Sequence, residues 1–250
     1  MTSPAPGAPN WVDLATSDLD GAKQFYTRLF GWTTDVSDGY TTFLLNGLPV
    51  AGAGPLAEDT QPTAWSTYLA TDDADAVAGR VTEAGGKVLV APFDVMEQGR
   101  LAAFLDPAGA PFSVWQPGTV GGAAVFDVPG ALTWNELNTR DIEGSAIFYA
   151  SVFGWTFRES SMDGHAYVVA ELNGTAIAGL QPMVGDQWGD LPPHWMVYFA
   201  VHDCDRAAAT VSGLGGTLLQ PPRAIAIGRY AVAADPSGGV FSLLAGHPTG

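Results

Sequence analysis

The imidazole and thiol side chains able to bind metals or relay protons are few and unevenly placed. All four histidines, His165, His194, His202 and His247, lie in the second half of the chain, and the only thiol is Cys204. A catalytic divalent ion takes about three nitrogen, oxygen or sulfur ligands from the protein. His194 and His202 stand eight apart in a segment that reads as a strand, so they form no His-x-x-x-His helix pair. The histidines are expected on the surface or in ordinary hydrogen bonds, with an irregular second-half metal site as the weaker alternative. No nucleophile, base and orienting group fall at a readable spacing. The run AGAGP (51–55) lacks the Lys-Ser or Lys-Thr that follows a phosphate-binding loop. What remains is an indole beside a carboxylate, twice: Trp11 with Asp13, and Trp134 with Glu136. Alternate residues of a strand share a face, so Trp11 brings Asp13 and Ala15 with it, and Trp134 brings Glu136 and Asn138.

These pairs belong to a duplication. FYTRLFGW (25–32) returns as FYASVFGW (148–155), and Asp18 and Trp11 return as Asp141 and Trp134, all at an offset of 123 residues. An internal repeat of this kind decides the architecture. Ala22, Phe25, Tyr26, Leu29 and Phe30 follow helical spacing, with Ser17 or Asp18 able to cap the start and Gly31 placed for a left-handed stop. The second copy uses Asp141, Phe148, Tyr149, Val152, Phe153 and Gly154. Each octet is thus a helix end with an aromatic core face.

A strand precedes each helix, WVDLAT (11–16) or WNELNT (134–139). Extended runs follow it, YTTFLLNG (40–47) and PVAGAGPL (49–56) or YVVAELNG (167–174) and AIAGLQPM (176–183). The pattern restarts at 65–92 and 194–222, and each restart continues through Gly-Arg to an Asp-Pro turn. Arg100 and Arg229, matched in these motifs, are expected to brace neighbouring turns. The fold class is α+β: four βαβββ modules, at about 10–57, 64–118, 133–185 and 194–246. They are grouped as domains 1–120 and 130–250 with a linker at about 117–131. Paired modules leave one sheet face for helices and the other for a cleft, where small ligands bind.

Composition narrows the partners. An apolar fraction of 47% over 250 residues supports real cores, and MTSPAPGAPN reads as a flexible leader and not a signal peptide. No run of about 18 apolar residues is present, so no membrane span is expected. The formal charge of −16, from 26 acidic against 10 basic residues, repels phosphate backbones and argues against nucleic acid. A single cysteine suits the cytoplasm.

DLD (18–20), FYTRLFGW and DPAG (106–109), repeated as DIE (141–143), FYASVFGW and DPSG (235–238), resemble the vicinal oxygen chelate superfamily. That superfamily includes glyoxalase I, bleomycin-resistance proteins and extradiol dioxygenases, and the chain looks like its tandem actinobacterial members. The resemblance implies metal-ligand positions at Trp11 and Trp134, near Ser66 and Met196, at Ser113 and Ser242, and among Ala51 to Ala53 and Ala178 to Gly179. Those residue types do not make a divalent site, so no cofactor or metal is expected. Mapped onto the clefts, the positions and their strand partners give an expected ligand lining. It comprises Trp11, Asp13, Ser66, Tyr68, Ser113 and Trp115 in the first half, and Trp134, Glu136, Asn138, Met196, Tyr198 and Ser242 in the second.

The resulting expectation is a metal-free binding protein for a hydrophobic aromatic secondary metabolite or antibiotic, serving sequestration or handing an intermediate to a biosynthetic enzyme. A ligand meeting Asp13 or Glu136 can also be cationic, as an amino sugar is. The alternative is an enzyme acting on a polyketide-type substrate, either metal-dependent or cofactor-free. Without the metal, Asp13 or Glu136 is the base and Tyr68 or Tyr198 the acid.

Overall fold

The computed structural model describes residues 4–58, 60–162 and 164–246. The expected module is present four times. The first runs β1 (Pro9–Thr16), α1 (Leu19–Phe30), β2 (Thr33–Ser37), β3 (Tyr40–Leu45) and β4 (Leu48–Pro55). The second is β5 (Ala64–Ala70), α2 (Ala74–Glu83), β6 (Lys87–Val95), β7 (Gly99–Leu105) and β8 (Pro111–Pro117). The third is β9 (Leu132–Thr139), α3 (Ile142–Phe153), β10 (Thr156–Met162), β11 (His165–Leu172) and β12 (Thr175–Pro182). The fourth is β13 (His194–Ala200), α4 (Cys204–Gly213), β14 (Thr217–Ile225), β15 (Gly228–Ala234) and β16 (Val240–Gly246). Each sequence half supplies one eight-stranded mixed sheet, in the order β2-β3-β4-β1-β5-β8-β7-β6 and β10-β11-β12-β9-β13-β16-β15-β14.

Local chemistry sets the helix ends. Asp18 caps α1 by accepting from the Gly21 amide, and Asp141 caps α3 by accepting from Gly144. Gly31 and Gly154 close these helices at φ +73°, a region that disfavours side chains. Residues 33–37 of β2 are all exposed and carry no apolar alternation, which is why the sequence pattern does not mark that strand.

The chain condenses into two compact units. One comprises residues through Asn10, with Thr67–Gly122 and Asn135–Trp195; the other comprises Trp11–Ser66, Ala123–Trp134 and residues from Met196 onward. In the second of these, α1 packs against α4 around Val12, Leu14, Phe25, Tyr26, Phe199 and Phe241. In the first, α2 packs against α3 around Leu69, Val77, Phe104, Phe112, Phe148 and Tyr149. Hydrogen bonding within the sheets therefore follows the sequence halves, while the apolar cores join a module of one half to a module of the other.

The repeated octet explains this arrangement. The fully buried Tyr26 hydroxyl accepts from the Trp65 indole at 3.0 Å and donates to Asp235, the Asp-Pro aspartate of the second half, at 2.9 Å. Tyr149 does the same with Trp195 at 3.0 Å and with Asp106 of the first half at 3.3 Å. Burial, then the neighbouring carboxylate, raises both phenols well above their ordinary range, so they remain protonated donors. Trp32 donates to the Gly130 carbonyl at 2.6 Å and Trp155 to the Gly7 carbonyl at 2.8 Å. Gly7 and Gly130 are themselves 123 positions apart. The octet is thus a two-pronged clamp, its phenol on an Asp-Pro turn and its indole on the backbone just before a first strand.

One expectation changes accordingly. The leader is packed from Gly7: Gly7 and Ala8 bond to the Ala70 backbone, and Ala8 and Asn10 are buried. The segment 117–131 is bonded along its length, with Gly118, Thr119 and Val120 donating to Glu97 or Gln98 and Ala124 to Pro49. Tyr26→Phe or Tyr149→Phe leaves a buried indole N–H and a carboxylate oxygen short of a partner, a loss of about 1–3 kcal/mol. Thermal unfolding should show a midpoint lower by about 2–4 °C per kcal/mol. A midpoint equal to that of the unmodified protein for both variants would contradict the clamp.

Candidate functional site

With Val12, Leu14 and Thr16 turned into the core, the alternation of β1 leaves Trp11, Asp13 and Ala15 on the opposite face. The same division holds for β5, where Trp65, Thr67 and Leu69 are core and Ser66 and Tyr68 lie opposite. On β8, Phe112 and Val114 are core and Ser113 and Trp115 lie opposite; on β16, Phe241 and Leu243 are core and Ser242 lies opposite. β9 separates Trp134, Glu136 and Asn138 from Thr133, Asn135 and Leu137, and β13 separates Met196 and Tyr198 from Val197 and Phe199. All twelve expected lining residues thus lie on the sheet faces away from the helices. Asp13, Ser66, Met196 and Tyr198 keep partial exposure; the other eight are buried.

One cluster forms within the unit that carries β1 and β3. The Tyr40 hydroxyl accepts from the Trp11 indole at 3.1 Å and donates to Asp13 Oδ2 at 2.9 Å. Gly52 lies opposite Asp13 in the parallel β1–β4 pair, and a Cβ there would overlap the Tyr40 hydroxyl and crowd Trp11. The missing side chain is what lets the phenol cross β4 to reach the carboxylate. Burial pushes the Asp13 carboxyl up to about 6, and the Tyr40 hydrogen bond offsets only part of that shift. The expected acid partner was Tyr68; the phenol actually bonded to Asp13 is Tyr40. The available signal is the recurrence of a tyrosine early in the third strand of each half, Tyr40 and Tyr167, with Gly52 and Gly179 opposite Asp13 and Glu136.

A second cluster lies in the other unit. Tyr68 pairs with Ser113, Ser113 with Ala103 and Ala103 with Val90, giving one row across β5-β8-β7-β6. The next row is Ala70, Trp115, Leu101 and Phe93. The register of β6 shifts between Val88 and Val90 and again between Val90 and Phe93. These bulges, at a strand carrying Pro92, bring both Val90 and Phe93 to the face away from the helices. Both side chains remain more than two-fifths exposed, at 43% and 45%. Period-two reading of β6 cannot find them, because the bulges break the alternation. Trp115 is less available than expected, since it lies over Gly99 and donates to the Val120 carbonyl at 2.8 Å.

Arg100 and Arg229 are structural, but they bind helix starts and not turns. Arg100 forks onto Asp75 and also reaches Asp94 and the Pro92 carbonyl, and Arg229 forks onto Asp205. Of the histidines, His194 bonds the Pro192 carbonyl and is pushed down in pKa by burial, His165 and His202 are exposed, and His247 lies outside the described residues. Among the described residues no three His, Cys, Asp or Glu side chains gather. An indole, a hydroxyl or a thioether at the positions implied for ligands is a poor donor set for a divalent ion. These residues do not fit the superfamily's metal.

The raised Asp13 pKa has a stability consequence. The folded chain holds this proton more tightly than the unfolded chain, so ionising Asp13 destabilises the fold as pH rises from about 4 through about 6. The penalty is about 3 kcal/mol once the group is fully ionised. Asp13→Asn should therefore raise the unfolding midpoint at pH 7.5 and give a much smaller gain at pH 4. Equal effects at the two pH values would rule out this account of Asp13.

Comparison with known proteins agrees with the four-module fold. Residues 8–114 match the model of the Glyoxalase/Bleomycin resistance protein/Dioxygenase superfamily, and residues 134–244 match that of a glyoxalase-like domain. The chain is 41% identical, over 98% of its length and 95% of the relative's, to the anthracycline biosynthesis protein DnrV of Streptomyces peucetius. It is 40% identical to the putative glyoxylase CFP32 of Mycobacterium bovis, over 97% of this chain and 96% of that one. Among solved structures, the Mn(II)-bound glyoxalase of Novosphingobium aromaticivorans superposes with a TM-score of 0.66 at 18% identity, over 95% of this chain and 81% of the other. The 2,3-dioxygenase LapB of Pseudomonas sp. KL28 gives 0.66 at 15%, over 98% and 93%. With two family models in tandem and relatives about 40% identical over nearly its whole length, this chain belongs to the glyoxalase/bleomycin resistance protein/dioxygenase superfamily.

Proposed function

We propose that the protein binds a hydrophobic aromatic small molecule, of the polyketide-derived secondary-metabolite or antibiotic kind, without a bound metal. Its role is sequestration, or an accessory step that presents the molecule to a biosynthetic enzyme. The observation that carries the reading is the helix-free face of the first-half sheet. It offers an indole, a phenol and a carboxylate in hydrogen-bond sequence, and separately an apolar platform with Val90 and Phe93 exposed. Aromatic stacking there adds about 0.5–1.5 kcal/mol per ring pair beyond area burial. The likeness to a protein named for anthracycline biosynthesis supports the ligand class. The functional domains are taken as the sequence halves 1–120 and 130–250, and the place of action as the cytoplasm. No described helix is long and apolar enough to cross a membrane.

The pKa of Asp13 favours a second reading, catalysis without metal. A carboxyl titrating near 6 and bonded to a phenol is suited to remove a proton from an enolisable or phenolic ligand. Glu136 occupies the corresponding place in the second half.

Binding is tested by quenching of the chain's eight tryptophans with a panel of polycyclic aromatic polyketides. Saturable quenching at micromolar concentrations is expected, and a folded protein that saturates with none of them would defeat the proposal. If a panel member is turned over, Asp13→Asn should lower kcat about 10²- to 10⁴-fold. The rate of the unmodified protein should rise with pH through about 6. An unchanged rate in both Asp13→Asn and Glu136→Gln would rule out these carboxylates as the base, and no turnover of any panel member would leave binding as the sole function.

A further inference from the structure

Around Asp13 the fold places aromatic rings and hydrogen-bonding groups but no positive charge. Between Pro9 and Pro55 the chain carries two basic residues, Lys23 and Arg28, and both belong to α1, across the sheet from Asp13. Lys23 is paired with Asp20 of its own helix. Strands β1 to β5 contain no Lys, Arg or His. The Asp13 carboxylate accepts from Tyr40, its one partner among the described residues. A carboxylate taken this far out of water is ordinarily paired with a cation. Here the protein supplies none.

The register shows what surrounds it. Asp13 pairs with Gly52, Gly52 with Thr42 and Thr42 with Asp35, one row across β1-β4-β3-β2. A Cβ at Gly52 would overlap the Tyr40 hydroxyl, and one at Gly54 would meet the Tyr40 ring at 3.5 Å. β4 thus offers bare backbone where Tyr40 lies. The Trp11 indole gives its single N–H to the Tyr40 hydroxyl. Two ring systems therefore stand beside one carboxylate that has no cation, and Asp13 and Tyr40 keep partial exposure. Aromatic rings attract a cation within about 6 Å, and a carboxylate accepts its N–H groups in charge-assisted hydrogen bonds. The formal charge of −16 favours the approach of such a cation and repels an anion.

From this arrangement we infer that the Trp11–Tyr40–Asp13 cluster seats an alkylammonium group carried by the aromatic ligand, its N–H groups donating to Asp13 between the two rings. The inference rests on the aromatic-binding reading above and adds the sign of the ligand's charge to it.

Calorimetric titration of the full chain with 2-(aminomethyl)anthraquinone, cationic at pH 7.5, and with its neutral hydroxymethyl counterpart tests it. The unmodified protein should bind the amine about tenfold more tightly than the alcohol, with the difference shrinking at high salt. At pH 5 the preference should fall to about twofold, because a carboxyl titrating near 6 is then mostly protonated. The other titratable groups on the helix-free faces of β2 to β5 are Tyr40, Tyr68 and Asp35. Asp13→Asn should remove the preference at both pH values. Asp35→Asn removes the same charge from the exposed edge strand of the sheet and should leave the preference intact. Each variant is first shown to unfold cooperatively. Equal affinity for the two probes in the unmodified protein, or a preference that survives Asp13→Asn, would overturn the ammonium assignment while keeping the aromatic reading. Saturation with neither probe would overturn both.

Discussion

A buried phenol held between an indole and a carboxylate is the interaction on which this fold depends. Tyr26 joins Trp65 to Asp235, and Tyr149 joins Trp195 to Asp106. Each carboxylate is itself engaged by its own turn, Asp106 accepting from the Ala110 amide and Asp235 from Ser237 and Gly239. A partly satisfied polar network inside an apolar core is worse than none, so the tyrosine, the tryptophan and the Asp-Pro turn are required together. This accounts for a duplicated octet in a single chain: each copy supplies the phenol that an aspartate from the other half needs.

Because helices and clamps occupy one face of β1, β5, β8, β9, β13 and β16, the other face is free to vary, and it varies in chemistry and not in geometry. The bulges of β6 and β14 occur at matching places, yet one presents Phe93 and the other Arg223. Asp13 is held where ionisation is unfavourable, a placement that weakens the fold at neutral pH. Such placements are characteristic of sites kept for binding or chemistry at the expense of stability. The core beneath can tolerate it, since Val12 and Leu14 on the reverse of the same strand are fully buried.

Much of this was legible in the sequence. The four modules, the helix stops at Gly31 and Gly154 and the division of β1, β5, β8, β9, β13 and β16 into two faces follow from helical spacing and strand alternation. What escaped has physical reasons. Tyr40 reaches Asp13 across an intervening strand, and that approach depends on Gly52, whose significance lies in an absent side chain. Phe93 and Arg223 owe their orientation to bulges that a period of two cannot describe. Trp115 has the face expected of it but is claimed by the Val120 carbonyl. Gly7 looks like part of a loose leader until Trp155 is seen to bind its carbonyl.

The central claim is that these faces act by stacking and charge pairing with the side chains they carry, and not through a divalent ion. The most direct test measures metal content by plasma mass spectrometry on protein purified without an affinity tag. The affinity for a polycyclic aromatic polyketide that saturates the tryptophan quenching is then compared before and after exhaustive dialysis against a chelator. The account predicts substoichiometric metal and an unchanged affinity. A stoichiometric zinc, nickel, iron or manganese ion whose removal abolishes binding, and whose return restores it, would contradict the account.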